Sequence, residues 1–331
     1  MARVDSQKAK ISLLKGVVAV IALLAITEIS VRLSGITDFP IYAVDNEIGY
    51  IVKPNQSGMF LNKNSWAFNS KSMPTAEEWN PSLRRNILLI GNSIVMGGNP
   101  YEQKDKLAAF IASDTGDKYS IWPVAAGGWT NINEAVYLRR NPDVVKAADF
   151  FVWEYMSGGL SGLSLWRGDY VFPSAHPASS GWYAFRRYIV PRLMKIDMNE
   201  LPPVGDLREN HLASFEASIA ELSKASGSEH PGLIFTYPTR RELLASAHEE
   251  WLPERDALKE ICRKYGLVMV DVAKSPLWNA SLYRDGVHPT VAGNALLAKI
   301  ISDSIADTFL PSSRKWGNFD QVASSVSAGL R

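Results

Sequence analysis

The chain has 331 residues, 46% of them hydrophobic, and Lys and Arg so nearly balance Asp and Glu that the formal net charge is +1. That composition supports a real core and excludes a wholly disordered chain, and the lack of bulk positive charge removes the electrostatic case for nucleic acid binding. The single cysteine, Cys262, excludes an intrachain disulfide framework and a cysteine-based zinc cluster without fixing the compartment.

The first element in chain order is apolar. "ISLLKGVVAVIALLAITEISVRL", residues 11–33, carries Lys15 near one end and Glu28 and Arg32 near the other. As a helix it is long enough to cross a bilayer, with the terminal charges snorkelling to the interfaces. It reads as an uncleaved transmembrane anchor. A signal-peptide core is the alternative, served only by a weak "AIT" cleavage site, and a buried soluble helix is the third reading. Arg3, Lys8, Lys10 and Lys15 precede the uncharged centre, whereas Glu28, Asp38, Asp45 and Glu47 follow it. The excess of Lys and Arg on the first side predicts a cytoplasmic N-terminus, residues 1–10, with the rest of the chain outside.

Residues 34–85 show little periodicity and many turn formers. Tyr50, Phe60, Trp66 and Phe68 make the stretch a poor solvated tether, so it is expected as an irregular lead-in packed on the main domain. From residue 86 short apolar runs alternate with helical segments: "NILLIG", "YSIWPVA", "DFFVWEY", "GLIFTYP" and "LVMVDVA" are near-continuously apolar, as buried parallel strands are. Between them lie "EQKDKLAAFIASD", "NINEAVYLRR", "NHLASFEASIAELSKA" and "ERDALKEICRKYG", and "TVAGNALLAKIISDSIADTF" follows the fifth strand. Five strands alternating with helices predict a doubly wound α/β domain over residues 86–310, with its site at the carboxyl ends of the strands. Residues 156–207 break the rhythm and are expected as an insertion over that edge, and residues 311–331 as a C-terminal tail.

Three stretches could carry chemistry. In "LLIGNSIVMGG", Ser93 follows the first strand directly and Gly91 can supply a tight turn, which puts the hydroxyl at the carboxyl edge; taken alone, such a serine reads equally as a helix cap. "YRDGVHPT" holds Asp285 and His288 in one loop before the last helix. A serine needs a base to take its proton, histidine is the usual one, and a carboxylate can hold the imidazole tautomer. Pro289 favours an extended conformation at His288 and Thr290 can cap the helix that follows, while the alternative is a solvated "DG" turn. "AAGGWTN" places Gly127 and Gly128 after the second strand, where a backbone N–H can bind a developing oxyanion.

Together these stretches resemble the SGNH hydrolase superfamily, the GDSL-type esterases and lipases. "ILLIGNS" is similar to the family's first block, with Asn92 in place of its aspartate; Gly127 or Gly128 corresponds to the glycine of the second; "DGVHP" matches the last. The resemblance implies a flavodoxin-like three-layer α/β/α sandwich with a five-stranded parallel sheet, Ser93 as nucleophile, His288 as general base and Asp285 as its orienter. It implies an oxyanion hole at Ser93, Gly127 and Gly128. The family's third block supplies an oxyanion asparagine after the third strand, where this chain has "VWEYMSGG"; Ser157, Tyr155 and Asn131 are the replacements available in sequence. "FVWEY" and the lead-in "IGYIVKPNQSG" also resemble the SGNH-like proteins of bacterial exopolysaccharide O-acetylation.

The insertion holds Trp166, Tyr170, Phe172, His176, Trp182, Tyr183 and Phe185, either as faces for stacking on sugar rings or as the insertion's own small core. Asn92, Trp129, Trp166, Trp182 and Arg240 are the candidate substrate contacts; Arg240 and Arg241 read equally as a solvated pair. His176, His211, His230 and His248 have no metal-ligand spacing, and neither metal nor cofactor is expected. The reading is acyl ester chemistry on a carbohydrate: O-acetyl transfer to, or removal from, an extracytoplasmic polysaccharide. The expected location is the inner membrane, single-pass, with the domain in the periplasm and with polysaccharide assembly proteins as partners. The alternatives are a lipid or small-ester hydrolase, and a non-catalytic carbohydrate-binding or scaffolding protein of the same fold.

Overall fold

The computed structural model of the chain describes residues 2–82, 85–116, 118–194, 211–245 and 252–309, with the side chains of residues 2–11 left aside. Residues 195–207 of the expected insertion and the tail 311–331 lie outside the described residues.

In chain order the elements are α1 (Ala2–Leu33), β1 (Tyr42–Asp45), β2 (Gly49–Val52), β3 (Gln56–Phe60), β4 (Asn64–Phe68), β5 (Asn86–Gly91) and α2 (Ser93–Met96). There follow α3 (Leu107–Thr115), β6 (Ser120–Ala125), α4 (Asn131–Arg140), α5 (Pro142–Lys146), β7 (Phe150–Tyr155), α6 (Ser180–Ala184), a π-helical turn at Phe185–Ile189, and α7 (Val190–Met194). The chain continues through α8 (Leu212–Ser226), β8 (Gly232–Thr236), α9 (Arg240–Ala245), α10 (Arg255–Tyr265), β9 (Val268–Asp271) and α11 (Val291–Phe309).

Strands β5 to β9 form one parallel sheet in the order β6-β5-β7-β8-β9, the flavodoxin-like doubly wound arrangement, with helices on its faces. Every residue of β5, β7 and β8 is buried, because a parallel strand covered on both faces has no solvent side for polar residues. Trp122, Phe150, Phe151, Trp153 and Phe215 fill the layers beside the strands. Each strand begins and ends within two residues of its predicted apolar run.

The lead-in departs from the irregular chain predicted for it: it forms two antiparallel hairpins, β1–β2 and β3–β4. Their signal is turn chemistry more than hydrophobic alternation. Asp45 Oδ1 accepts the backbone N–H of Glu47 and Ile48, which reverses the chain ahead of Gly49, and Leu61 and Asn62 adopt φ values of +54° and +52° between β3 and β4. Tyr50 of β2 reaches the sheet edge, where its hydroxyl donates to Gly127 O at 2.8 Å. Asn133 of α4, fully buried, ties three parts together by donating to Ile48 O (2.6 Å) and Ser164 O (2.9 Å) while its Oδ1 accepts Ser164 N–H.

Helix α1 contains a 22-residue segment, Ser12–Leu33, that is long and apolar enough to cross a membrane, and none of that segment is buried in the protein. Its final turns are fastened to the domain: Asn62 Nδ2 donates to Leu33 O at 2.7 Å, and Arg32 donates to Ala178 O at 2.9 Å.

Candidate active site

Strand β5 ends at Gly91 and α2 begins two residues later, so the chain reverses sharply at the carboxyl edge of the sheet. Asn92 caps the new helix, its Oδ1 accepting Ile94 N–H at 3.0 Å, and Ser93 occupies the first helical position. The helix-cap role considered for Ser93 therefore falls to Asn92, which leaves the serine hydroxyl free for other work. Gly91 is required by packing: a Cβ there would collide with Glu154 Oε2 and lie 2.5 Å from Val95 Cγ2. Gly91→Ala is expected to cost about 1–3 kcal/mol of stability and, by displacing the turn, to lower activity about a hundredfold. Denaturant unfolding together with ester turnover checks both halves of that expectation.

The loop after β9 brings its imidazole to this turn across 195 positions of sequence: His288 Nε2 lies 2.9 Å from Ser93 Oγ. On the other side of the ring, His288 Nδ1 lies 2.9 Å from Asp285 Oδ2 and 3.1 Å from Oδ1. Asp285 Oδ1 also accepts the backbone N–H of Val287 (2.9 Å) and His288 (2.8 Å), so one carboxylate fixes both the loop and the ring it carries. Burial raises the Asp285 pKa, but the hydrogen bonds from the His288 side chain and from the two backbone N–H groups outweigh it and hold the carboxyl well below the usual carboxylate range. Two tyrosines brace the loop from outside. Tyr237 donates to Val287 O at 2.9 Å and Tyr101 donates to Pro289 O, while the Arg284 guanidinium sits 5.1 Å over the Tyr101 ring.

Gly127 and Gly128 follow β6 beside α2; an added Cβ at Gly127 would lie 3.7 Å from Met96 Sδ. Gly128 has φ +76°, and a Cβ there would press on Tyr50 Oη at 3.0 Å and on Phe172 Cζ at 3.3 Å, so this turn demands glycine twice over. Among the described residues the N–H groups of Ser93, Gly127 and Gly128 have no protein acceptor. They are the donors available to an oxyanion formed at Ser93.

Of the three replacements considered for the family's asparagine, Asn131 and Ser157 have their polar groups bonded to other partners, and Tyr155 is enclosed in the core. Asn131 Nδ2 donates to both Glu134 Oε2 and Glu154 O, each at 2.8 Å, inside the core. Tyr155 is fully buried with its ring against Phe215. Ser157 is half-buried and donates to Glu242 Oε1 of α9.

Of the candidate substrate contacts, Asn92 adjoins the serine and the exposed Arg240 adjoins the histidine loop, its N–H donating to Gly286 O at 2.9 Å. Trp129 is instead a core residue, its indole N–H bonded to Tyr50 O, because the Gly127–Gly128 turn sends it back under the β1–β2 hairpin. Trp166 is partly buried against the hydrophobic core that includes Phe172 and Tyr50, its indole N–H donating to Phe172 O at 3.0 Å. Trp182 stands exposed on α6, which packs against α1, and it stacks on Phe185.

One residue that underlies the candidate site escaped sequence reasoning. Glu154, fully buried in β7, accepts the Asn92 N–H on Oε2 at 3.1 Å and so supports the turn that carries Ser93 from beneath. Its signal was present: a lone acid inside an otherwise apolar strand must either pair or go uncharged. Burial pushes its carboxyl up to about 8, against the opposing hydrogen bonds from Asn92. The folded protein then holds a proton that the unfolded chain releases above its ordinary value of 4.5, so stability falls as pH rises between 4.5 and about 8. Glu154→Gln keeps the acceptor and removes this titration. Compared by thermal unfolding from about pH 5 to about pH 9, the variant is expected to lose less stability than the native chain, by on the order of a few kcal/mol. Parallel curves for the two proteins would contradict this protonation state.

No protein-family model matches the chain, and no curated protein matches it. Among solved structures it is similar to a carbohydrate acetylesterase from Sinorhizobium meliloti, at 14% identity over 68% of this chain and 100% of that one, with a TM-score of 0.40. It is similar also to a two-domain esterase active on acetylated mannans, at 16% identity over 71% of this chain and 52% of that one, with a TM-score of 0.42. A third is a salicylyl-acyltransferase from a tetracycline biosynthetic pathway, at 14% identity, 72% and 58% coverage and a TM-score of 0.38.

Proposed function

We propose that this chain is a membrane-anchored serine enzyme of the SGNH type that makes and breaks acyl esters on an extracytoplasmic polysaccharide. The observation that carries the reading is the continuous hydrogen-bonded line from Ser93 Oγ through His288 to Asp285 at the carboxyl edge of the sheet. A scaffold protein has no physical need for a serine, an imidazole and a carboxylate aligned in that order.

In this mechanism Ser93 Oγ attacks the acyl carbonyl as its proton passes to His288 Nε2, and Asp285 stabilises the imidazolium through Nδ1–H. The oxyanion is received by backbone N–H groups of Ser93 and the Gly127–Gly128 turn. Collapse breaks the ester bond, His288 returns the proton to the leaving hydroxyl, and the acyl group rests on Ser93 until water or a sugar hydroxyl removes it by the reverse steps. Arg240 at the rim offers a charged contact to a polar substrate. Helix α1 serves as the anchor, and the excess of basic residues before it supports a domain on the outer face of the inner membrane.

The test pairs two reactions of the full-length protein: acetate release from an O-acetylated soluble polysaccharide, and acetyl transfer from a small acetate ester to the deacetylated polysaccharide. Acetyl change on the glycan in either direction, lost in Ser93→Ala, is the expected result. Hydrolysis of small esters with no change on either glycan would make the protein a lipid or small-ester hydrolase instead.

A further inference from the structure

The segment Ser180–Met194 is helical throughout and carries an apolar face left exposed among the described residues. Trp182, Phe185, Ile189 and Leu193 recur every three or four residues and all point outward, Trp182 being 63% exposed and Leu193 74%, with Met194 alongside. On the inner side Tyr183 packs on Phe39, at 5.1 Å between ring centroids, and Pro191 is buried, so the outward direction of the apolar face is fixed by the fold. Leaving five large apolar side chains in water is costly, and a patch of this kind marks a contact surface.

The position of the segment says what that contact is. Glu28 of α1 accepts hydrogen bonds from Ser179 Oγ, Ser180 N and Gly181 N, each at 2.8 Å, which seats its carboxylate on the first turn of α6. Glu28 lies five residues before α1 ends, about 7–8 Å along the helix axis. Helix α6 therefore sits beside the last turns of the candidate span, at the depth where hydrocarbon gives way to head groups. The charge fits that depth: between Asp169 and Asp197 the sequence has no acid, while Arg186, Arg187 and Arg192 lie along the segment. Tryptophan with apolar neighbours on one face and arginine at the flank is the pattern of a helix lying in a membrane interface.

We propose that the Ser180–Met194 segment is an in-plane membrane helix, seated in the interface of an anionic phospholipid bilayer beside α1, and that it fixes the tilt of the domain against the membrane. This reassigns Trp182 from sugar stacking to lipid contact. The same insertion carries Phe172, which stacks on Tyr50 at 4.1 Å and bears on Gly128, so the membrane seat and the oxyanion turn belong to one connected unit.

The inference rests on α1 being the anchor, and the test separates the two. Full-length protein in bilayer discs containing phosphatidylglycerol carries an environment-sensitive fluorophore on Leu193→Cys, on Val20→Cys within α1, or on Arg263→Cys. Arg263 is an exposed control at the end of α10 that leads into β9, the opposite edge of the sheet; native Cys262 is buried. With nitroxide lipids quenching near the head groups, the Leu193 probe is expected to lose about half its emission, as side chains at the acyl boundary do, while the Arg263 probe keeps its own. The Val20 probe should be quenched by nitroxide at mid-bilayer. Quenching at Val20 but not at Leu193 overturns the in-plane helix and leaves the anchor standing; no quenching at Val20 removes the anchor reading and this proposal with it. A Leu193 probe shielded from aqueous iodide yet untouched by lipid nitroxide would mean that protein covers the face, a second copy or another chain, and would also overturn it.

Discussion

Ser93→Ala is expected to lower turnover of a small chromogenic acetate ester by at least about 10⁴-fold, to the level that the oxyanion donors and substrate binding alone can sustain. The nucleophile and its base act as one unit, so His288→Ala is expected to fall to the same level, and the double variant no further. The substitution is structurally mild. Ser93 is the first residue of α2, the cap belongs to Asn92, and among the described residues the Ser93 hydroxyl bonds only His288 Nε2 and, at 3.5 Å, Asn92 Oδ1. Stability should therefore stay within about 0.5 kcal/mol of the native chain. Unfolding curves that coincide while turnover collapses would separate lost chemistry from lost fold.

The second large effect belongs to Asp285→Asn, with an expected loss of about 10³–10⁴-fold. Asp285 accepts on both sides of its carboxylate: the backbone N–H groups of Val287 and His288 bond Oδ1, and the imidazole Nδ1 bonds Oδ2. An asparagine that keeps its oxygen on the backbone turns its NH₂ toward Nδ1, which must then accept rather than donate. The ring proton moves to Nε2, where it can no longer take the proton of Ser93. The loop geometry survives and the tautomer does not. Turnover reduced by about 10³–10⁴-fold, with the unfolding transition intact, is the predicted pair of readings; near-native turnover would deny Asp285 its orienting role.

The main sheet was legible in the sequence because a buried parallel strand has a strong local signature. Ile87 to Ile90 and Phe150 to Trp153 are apolar without a break, and the turn formers that follow them mark where strand gives way to loop. The lead-in was not legible, since β3 is "QSGMF" and its pairing with "NSWAF" depends on backbone conformations at Leu61 and Asn62 that no hydrophobic pattern announces. Residue type placed Ser93, Asp285 and His288 in one hypothesis, while their meeting depends on the strand order, which sets the loop after β9 across the sheet edge from the turn after β5. The aromatics misled for a physical reason. Trp129, Trp166 and Trp182 have the same side chain, yet one is core, one supports the insertion and one faces outward, and only the fold assigns them. Asn131 misled likewise: its amide serves Glu134 and the β7 backbone, a buried polar obligation invisible without coordinates.

Covalent capture of the nucleophile tests the central claim most directly. Full-length protein exposed to a fluorophosphonate ester, digested and mapped by mass spectrometry, is predicted to carry one phosphonyl group, on Ser93, with labelling abolished in Ser93→Ala and strongly slowed in His288→Ala. A chain that remains unlabelled while folded, or that labels at the same rate when Ser93 is alanine, would contradict the assignment of Ser93 as an activated nucleophile.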